Sequence, residues 1–303
     1  MDSRSKSKAE VSAISGQVFA AHGRHYLVHT ATRGDLECVT RGRKSDVVCG
    51  DQVALTPTTP GQGVIDSILP RTSLFKRVDT YRTKAIAANV TQVAIVVAPR
   101  PSWSEELLQR CLLAAENQHL PALIIANKSD LQEHPRMLDE LAIYPPLGYP
   151  VISLCAKNDI QALLPHLKNK LTLLVGQSGM GKSTLINSLF PDANASVNVI
   201  SEALDSGRHT TTHSRLYPLE EGGAVIDSPG LQEFALSHLT RDDIESAMPD
   251  FRPYLGLCRF RDCRHQHEPD CAIRKAVDLG SIASKRLGFF QRLLSENAAR
   301  SAI

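Results

Sequence analysis

Gly176-Gln177-Ser178-Gly179-Met180-Gly181-Lys182-Ser183 follows the apolar run Leu171 to Val175 and fits the spacing G-x-x-x-x-G-K-[ST]. The apolar run reads as a buried strand and the residues from Lys182 as the start of a helix, the context that this loop needs. Its glycines let backbone N–H groups turn around phosphate oxygens, and the helix N-terminus adds favourable partial charge. The stretch from Gly176 to Thr184 is therefore expected to line a nucleotide. Lys182 would reach the β- and γ-phosphates as a catalytic group, and Ser183 would ligate Mg²⁺.

A phosphate loop does not choose a base. Asn127-Lys128-Ser129-Asp130 follows the apolar run Leu123 to Ala126 and matches N-K-x-D, which points to guanine. Asp130 can accept from guanine N1–H and its exocyclic amine, a donor pair that adenine lacks. Lys128 would pack across the base, with Asn127 tying its loop to the neighbouring ones. Ser153-Leu154-Cys155-Ala156-Lys157 occupies the place of a secondary S-A-K element, with a cysteine where serine is commoner.

Downstream, Asp227-Ser228-Pro229-Gly230 matches D-x-x-G. Its aspartate would hold Mg²⁺ through water, and Gly230 would offer its N–H to the γ-phosphate. Between the two phosphate motifs lies Gly207-Arg208-His209-Thr210-Thr211-Thr212, a polar loop suited to a switch, with Thr211 the favoured Mg²⁺-side threonine. The order is thus base site, phosphate loop, switches, a circular permutation of the usual guanine-nucleotide order. Residues Asn158 to Lys170 would form the connection that joins the original termini. Leu231 stands where many GTPases carry a water-orienting glutamine, so either a partner supplies that group or His209 substitutes for it.

The flanks differ in composition. From Gly16 to about Ser73 five short strands are expected, at Gly16 to Phe19, His25 to His29, Asp35 to Val39, Gln52 to Leu55 and Gly63 to Ile68, which suggests a small β-barrel of the OB type. After Arg77 buried strands alternate with amphipathic helices, the α/β pattern. Near the C-terminus Cys258, Cys263, His265 and Cys271 supply three thiolates and an imidazole, the ligand set of a closed structural zinc site, with His267 as an alternative to His265. Helical sequence is expected from Ala272 to Glu296.

These readings give a multidomain chain. A basic flexible arm occupies 1–15, an OB-fold domain 16–76, a circularly permuted P-loop GTPase domain 77–239, and a mainly helical zinc-binding domain 240–303. Net charge is +2 over 303 residues, so overall charge argues neither for nor against a nucleic-acid partner. No apolar run approaches the roughly 20 residues that span a bilayer, and no secretory or lipidation signal is expected. Seven cysteines, three of them crowded between Cys258 and Cys271, suit metal ligation in a reducing cytoplasm better than disulfides.

From about Gly16 to Glu296 the chain resembles the RsgA (YjeQ) family of small-ribosomal-subunit biogenesis GTPases. The resemblance is carried by Asn127 to Asp130, Gly176 to Thr184, Gly207 to Thr212, Asp227 to Leu231 and Cys258 to Cys271. It implies GTP hydrolysis stimulated by the 30S subunit, contact with 16S rRNA, and nucleotide-controlled association during late maturation. A monomer in the cytoplasm, away from membranes, is expected. The alternative is a zinc- and OB-bearing RNA regulator that uses GTP as a structural ligand, a reading that Leu231 keeps open.

Overall fold

The computed structural model describes residues 13–42, 46–78, 83–191, 214–228 and 236–301. The switch-loop positions His209, Thr210, Thr211 and Thr212, together with Gly230 and Leu231, lie outside the described residues.

Strands β1 (Ile14–His22), β2 (His25–Thr30), β3 (Gly34–Thr40), β4 (Gln52–Pro57) and β5 (Gln62–Ile68) pair in the order β1-β2-β3-β5-β4, and β1 pairs again with β4. All pairs are antiparallel except β3 with β5, and the sheet closes on itself as an OB-type barrel. Alternate residues point inward, so Val18, Val28, Leu36, Val53, Leu55 and Ile65 fill the interior. All five expected strands are present. Strand β1 pairs with β4 over Ile14 to Gln17; beyond a register shift against β2 between Val18 and Ala20, Ala20 pairs instead with Arg215. The barrel is thereby hydrogen-bonded to the edge of the second sheet.

A hairpin, β6 (Leu74–Val78) and β7 (Thr83–Ala88), follows the barrel. Gly50 of the barrel packs against it: a Cβ there would lie 2.3 Å from the Ala88 carbonyl oxygen, and φ is +90°. Only glycine fits both conditions.

The central sheet contains β8 (Gln92–Val97), β9 (Ala122–Ala126), β10 (Val151–Ser153), β11 (Leu171–Val175), β12 (Arg215–Pro218) and β13 (Ala224–Asp227), in the order β10-β9-β8-β11-β13-β12. Every pair is parallel except β12 with β13. Both faces are covered, which is why β8 and β9 are continuously apolar. On one face Val93, Ile95, Val97 and Ile124 meet α1 (Glu105–Asn117) and α2 (His134–Leu141). On the other, Ala94, Val96, Leu123 and Ile125 meet α3 (Leu164–Leu167) and α4 (Lys182–Leu189). Helix α3 lies within the connection expected between Asn158 and Lys170.

The remaining α-helices among the described residues are α5 (Arg241–Ser246), opened by a reciprocal capping box between Thr240 and Asp243, α6 (Ala272–Asp278) and α7 (Ser284–Ser301). The helical sequence expected from Ala272 to Glu296 forms two helices, α6 and α7. Gly280 adopts φ +75°, and the Ser281 N–H bonds back to the Ala276 carbonyl, closing α6 with a left-handed turn. Residues Phe251, Ile273, Phe289, Phe290 and Leu293 share one core with Leu108, Cys111 and Leu112 of α1. Each large side chain buried there stabilises the junction by roughly 1.5–3 kcal/mol. Among the described residues no helix is long and apolar enough to cross a membrane.

Candidate nucleotide site and metal cluster

Three loops leave the C-terminal edge of the parallel sheet side by side: the one after β11, the one after β9 and the one after β10. Such an edge is where α/β folds place ligands. They surround a cavity of about 560 Å³ lined by Asn127, Lys128, Asp130, Cys155, Ala156, Lys157, Ser178, Gly179, Gly181, Lys182, Ser183 and Thr184, with Arg100 and Leu131. Gly176, Gln177 and Met180 belong to the same phosphate loop, and Ser129 to the loop after β9.

Asn127 ties the three loops together. Its Nδ2 donates to the Met180 carbonyl at 2.9 Å, while its Oδ1 accepts from the Lys128 and Ala156 N–H groups at 2.8 and 3.0 Å. It is 1% exposed, and its bonds to Met180 and Ala156 are made away from water. A Cβ on Gly181 would lie 2.3 Å from Asn127 Nδ2, so the close approach needs glycine. Lys128, at φ +62°, bonds through Nζ to the carbonyls of Arg100 and Gly179. Its stem therefore runs along the cavity wall.

At the base end, Cys155 Sγ donates to Asp130 Oδ1 at 3.1 Å. That bond, backbone donation and the nearby Lys157 and Lys128 hold the Asp130 carboxyl below the usual carboxylate range.

At the phosphate end, Gln177 Oε1 accepts from the Ser104 N–H at 2.8 Å, and Lys182 Nζ donates to the carbonyls of Gly176 and Gln177. Burial lowers the Lys182 pKa and raises that of Asp227, each partly opposed by the charge of the other. Asp227 Oδ1 is buried without a hydrogen-bond partner among the described residues. An unpaired buried carboxylate oxygen beside a phosphate loop is a fitting anchor for a hydrated divalent cation.

A second cluster lies in the C-terminal part. Cys258, Cys263, His265 and Cys271 place one donor atom each within 4.8 Å of one another. The separations of His265 Nδ1 from the three sulfurs are 3.6, 3.5 and 3.2 Å, and Cys258 Sγ lies 3.9 Å from Cys271 Sγ. A tetrahedral ion with roughly 2.3 Å bonds to sulfur sets ligand pairs about 3.5–3.8 Å apart, so the donor set fits one such ion. Burial raises the Cys263 thiol to about 12 and raises Cys271 as well, so a bound cation would favour the thiolates there. His267 is outside this group.

Sequence reading missed what supports the cluster. His265 turns Nε2 to Glu245 Oε1 at 3.2 Å, and Arg241 holds the same oxygen at 2.5 Å. A carboxylate behind a ligating imidazole fixes its tautomer and raises its basicity. Gln291 of α7 donates to the His265 carbonyl at 2.7 Å. Glu245 lies 20 residues before its partner, and no local motif marks it. Arg100 was missed too: it pairs with Glu133 beside the cavity, and its loop has no recognisable pattern.

A sequence model of the RsgA GTPase family matches residues 68–237. The chain is 50% identical over 283 residues to the small ribosomal subunit biogenesis GTPase RsgA of Nitrosospira multiformis, covering 93% of this chain and 90% of that one. It is also 50% identical over 287 residues to the Burkholderia pseudomallei protein of the same name, covering 93% and 91%. Among solved structures, YjeQ from Thermotoga maritima is 29% identical with a TM-score of 0.74, covering 95% of this chain and 99% of that one. YloQ, described as a circularly permuted GTPase, is 26% identical with a TM-score of 0.71, covering 97% and 98%. The permuted strand order, the phosphate loop and this extent of likeness together place the chain among GTP-hydrolysing P-loop enzymes, and it belongs to the RsgA GTPase family.

Proposed function

We propose that the chain binds GTP in the cavity joined by Asn127, hydrolyses it to GDP and phosphate, and couples that cycle to late maturation of the small (30S) ribosomal subunit through contact with 16S rRNA. The observation that carries the reading is the Asn127 junction, which joins the base-reading loop to the phosphate loop across the permuted chain. The names of the relatives supply the ribosomal direction.

In this reading Asp130 selects guanine, Lys128 packs across the base, and Ser129, Cys155, Ala156 and Lys157 complete the base pocket. The backbone from Gly176 to Thr184, with Gly230, surrounds the phosphates. Lys182 neutralises charge on the transferred phosphoryl group. Mg²⁺, held by Ser183 and Asp227, supplies Lewis-acid stabilisation when bound. Thr211 closes the switch, and His209 orients water in place of the glutamine that Leu231 replaces. Cys258, Cys263, His265 and Cys271 hold one structural zinc. We divide the chain into an arm 1–15, an OB domain 16–76, a GTPase domain 77–239 and a zinc domain 240–303, acting as a cytoplasmic monomer.

Phosphate release from GTP, measured with purified small or large subunits, tests this function. Acceleration by small subunits alone is expected, with His209→Ala lowering the accelerated rate. Co-sedimentation that ignores whether GDP or a non-hydrolysable GTP analogue is present would count against nucleotide-controlled association.

A further inference from the structure

Between β8 and α1 the segment Pro99 to Ser104 runs beside the phosphate loop and is fastened to it at three points. Lys128 Nζ bridges the Arg100 and Gly179 carbonyls at 2.5 and 2.8 Å, and the Ser104 N–H donates to Gln177 Oε1 at 2.8 Å. The Pro101 ring lies against Gly179, where a Cβ would meet its Cδ and Cγ at 2.8 Å. Prolines on both sides of Arg100 restrict its backbone further. The segment's one charged side chain therefore springs from a fixed place on the cavity wall, one ammonium's width from the phosphate loop.

The Arg100 side chain itself is free to move. It is 72% exposed, and its partner Glu133, at the start of α2, is solvated too. Such an ion pair contributes little in water. A nucleotide brings several negative charges into the same cavity, and a guanidinium forks onto phosphate oxygens as well as onto a carboxylate. Exchanging Glu133 for phosphate thus gives up a weak contact for a stronger one.

We propose that Arg100 is a further phosphate-binding residue of this cavity: on nucleotide entry it leaves Glu133, and its guanidinium meets the phosphate chain. The proposal rests on the guanine-nucleotide reading of the cavity given above. It gives Glu133 a role as well, that of a competing anion whose hold on the arginine must be broken.

The test is calorimetric titration of the full-length, zinc-loaded protein with GDP. Arg100→Gln is expected to weaken GDP by about five-fold, less than a buried charge-assisted bond would give because water competes. Arg100→Lys, which keeps the charge but not the fork, is expected to recover part of that loss. Glu133→Gln should tighten GDP about two-fold in the wild-type background and do little in the Arg100→Gln background, because the competitor then has nothing to hold. Weakening by Glu133→Gln as well as by Arg100→Gln would show that the pair only braces two loops, and would overturn the proposal. Strictly additive effects would reduce both residues to their net charge and overturn it equally. If the wild-type protein, folded and zinc-loaded, binds no GDP, the reading of the cavity falls and this proposal with it. If it binds GDP and Arg100→Gln binds just as tightly, the proposal alone falls.

Discussion

The Asn127 side-chain amide donates to the Met180 carbonyl at 2.9 Å, across 53 positions of chain, and so fixes the spacing between the base and phosphate loops. Asn127→Ala would strand the Met180 carbonyl and the Lys128 and Ala156 N–H groups in a buried site. Each orphaned group costs about 1–3 kcal/mol if no water reaches it. With three groups orphaned, stability is expected to fall by about 3 kcal/mol or more, with nucleotide affinity falling at least as far. Thermal unfolding and fluorescent-GDP titration of the same preparation check both. Retention of wild-type affinity would show that the loops are spaced by something other than this side chain.

Asp227 leads to a pH dependence of opposite sign in two measurements. Its pKa is raised by burial, with Lys182 pulling the other way. A raised carboxyl pKa means that the folded state holds the proton more tightly than the unfolded chain. The favourable contribution of this group is then fully present below the unfolded value and lost as pH rises through the folded one. Acidification from neutrality should therefore relieve the buried charge while removing the anion proposed above to hold Mg²⁺. The Mg²⁺ concentration that half-saturates GTP retention is expected to rise on acidification at a higher pH than an ordinary aspartate would give. In Asp227→Asn Mg²⁺ retention should be weak throughout and lose that dependence. A wild-type profile identical to that of the variant would remove Asp227 from the metal site.

The C-terminal helices are pinned to the nucleotide-binding part by charge as well as by core. Arg286 of α7 pairs with both oxygens of Asp250 at 2.9 and 3.0 Å, and also reaches Gln109 of α1. The two side chains are 3% and 2% exposed. Around this centre Lys285 meets Glu105, Arg292 meets Glu106, Arg110 meets Glu296 and Arg252 meets Glu116. The outer pairs are solvated and each contributes little. Arg286→Met leaves Asp250 as an unpaired buried charge and is expected to destabilise the protein by about 3–5 kcal/mol. Adding Asp250→Leu should recover much of that loss, because the desolvation penalty of both ions disappears. Denaturant unfolding of the single and double variants decides it, and additive losses would mean that the pair is not the source of the effect.

What was legible in the sequence follows from locality. Each nucleotide motif is a short run beside an apolar strand, so spacing alone located Asn127 to Asp130 and Gly176 to Ser183, and the order of motifs predicted the permuted sheet. The barrel strands were legible because turn residues separate alternating segments. Strand β12 was missed because Arg215–Pro218 is only four residues long and pairs antiparallel at an edge. The hairpin β6–β7 was missed because its register is irregular and its sequence mixes lysine, arginine and alanine. The helical character of the stretch after Cys271 was legible, but the place where it divides was not, because Gly280 falls within an otherwise helical periodicity and a glycine there can be tolerated or can terminate. The support of His265 by Glu245, and of α7 by Asp250, is tertiary in origin and leaves no mark in local pattern.

The metal cluster makes the most discriminating prediction, because its ligands and the group behind them should respond differently to substitution. The purified protein is expected to carry one equivalent of zinc by elemental analysis. His265→Ala and Cys271→Ser should lose it, and Cys271→Ser should also loosen the start of α6, where Cys271 Sγ accepts from the Arg274 N–H. His267→Ala should keep the metal, since His267 lies outside the four-donor group. Glu245→Gln leaves all four ligands in place but exchanges the carboxylate facing His265 Nε2 for a neutral amide. Metal affinity, read by competition with a colorimetric chelator, is expected to fall by about 10- to 100-fold without loss of stoichiometry at saturating zinc. Unchanged affinity would mean that Glu245 serves only its ion pair with Arg241, and a loss of stoichiometry would make it a ligand in its own right.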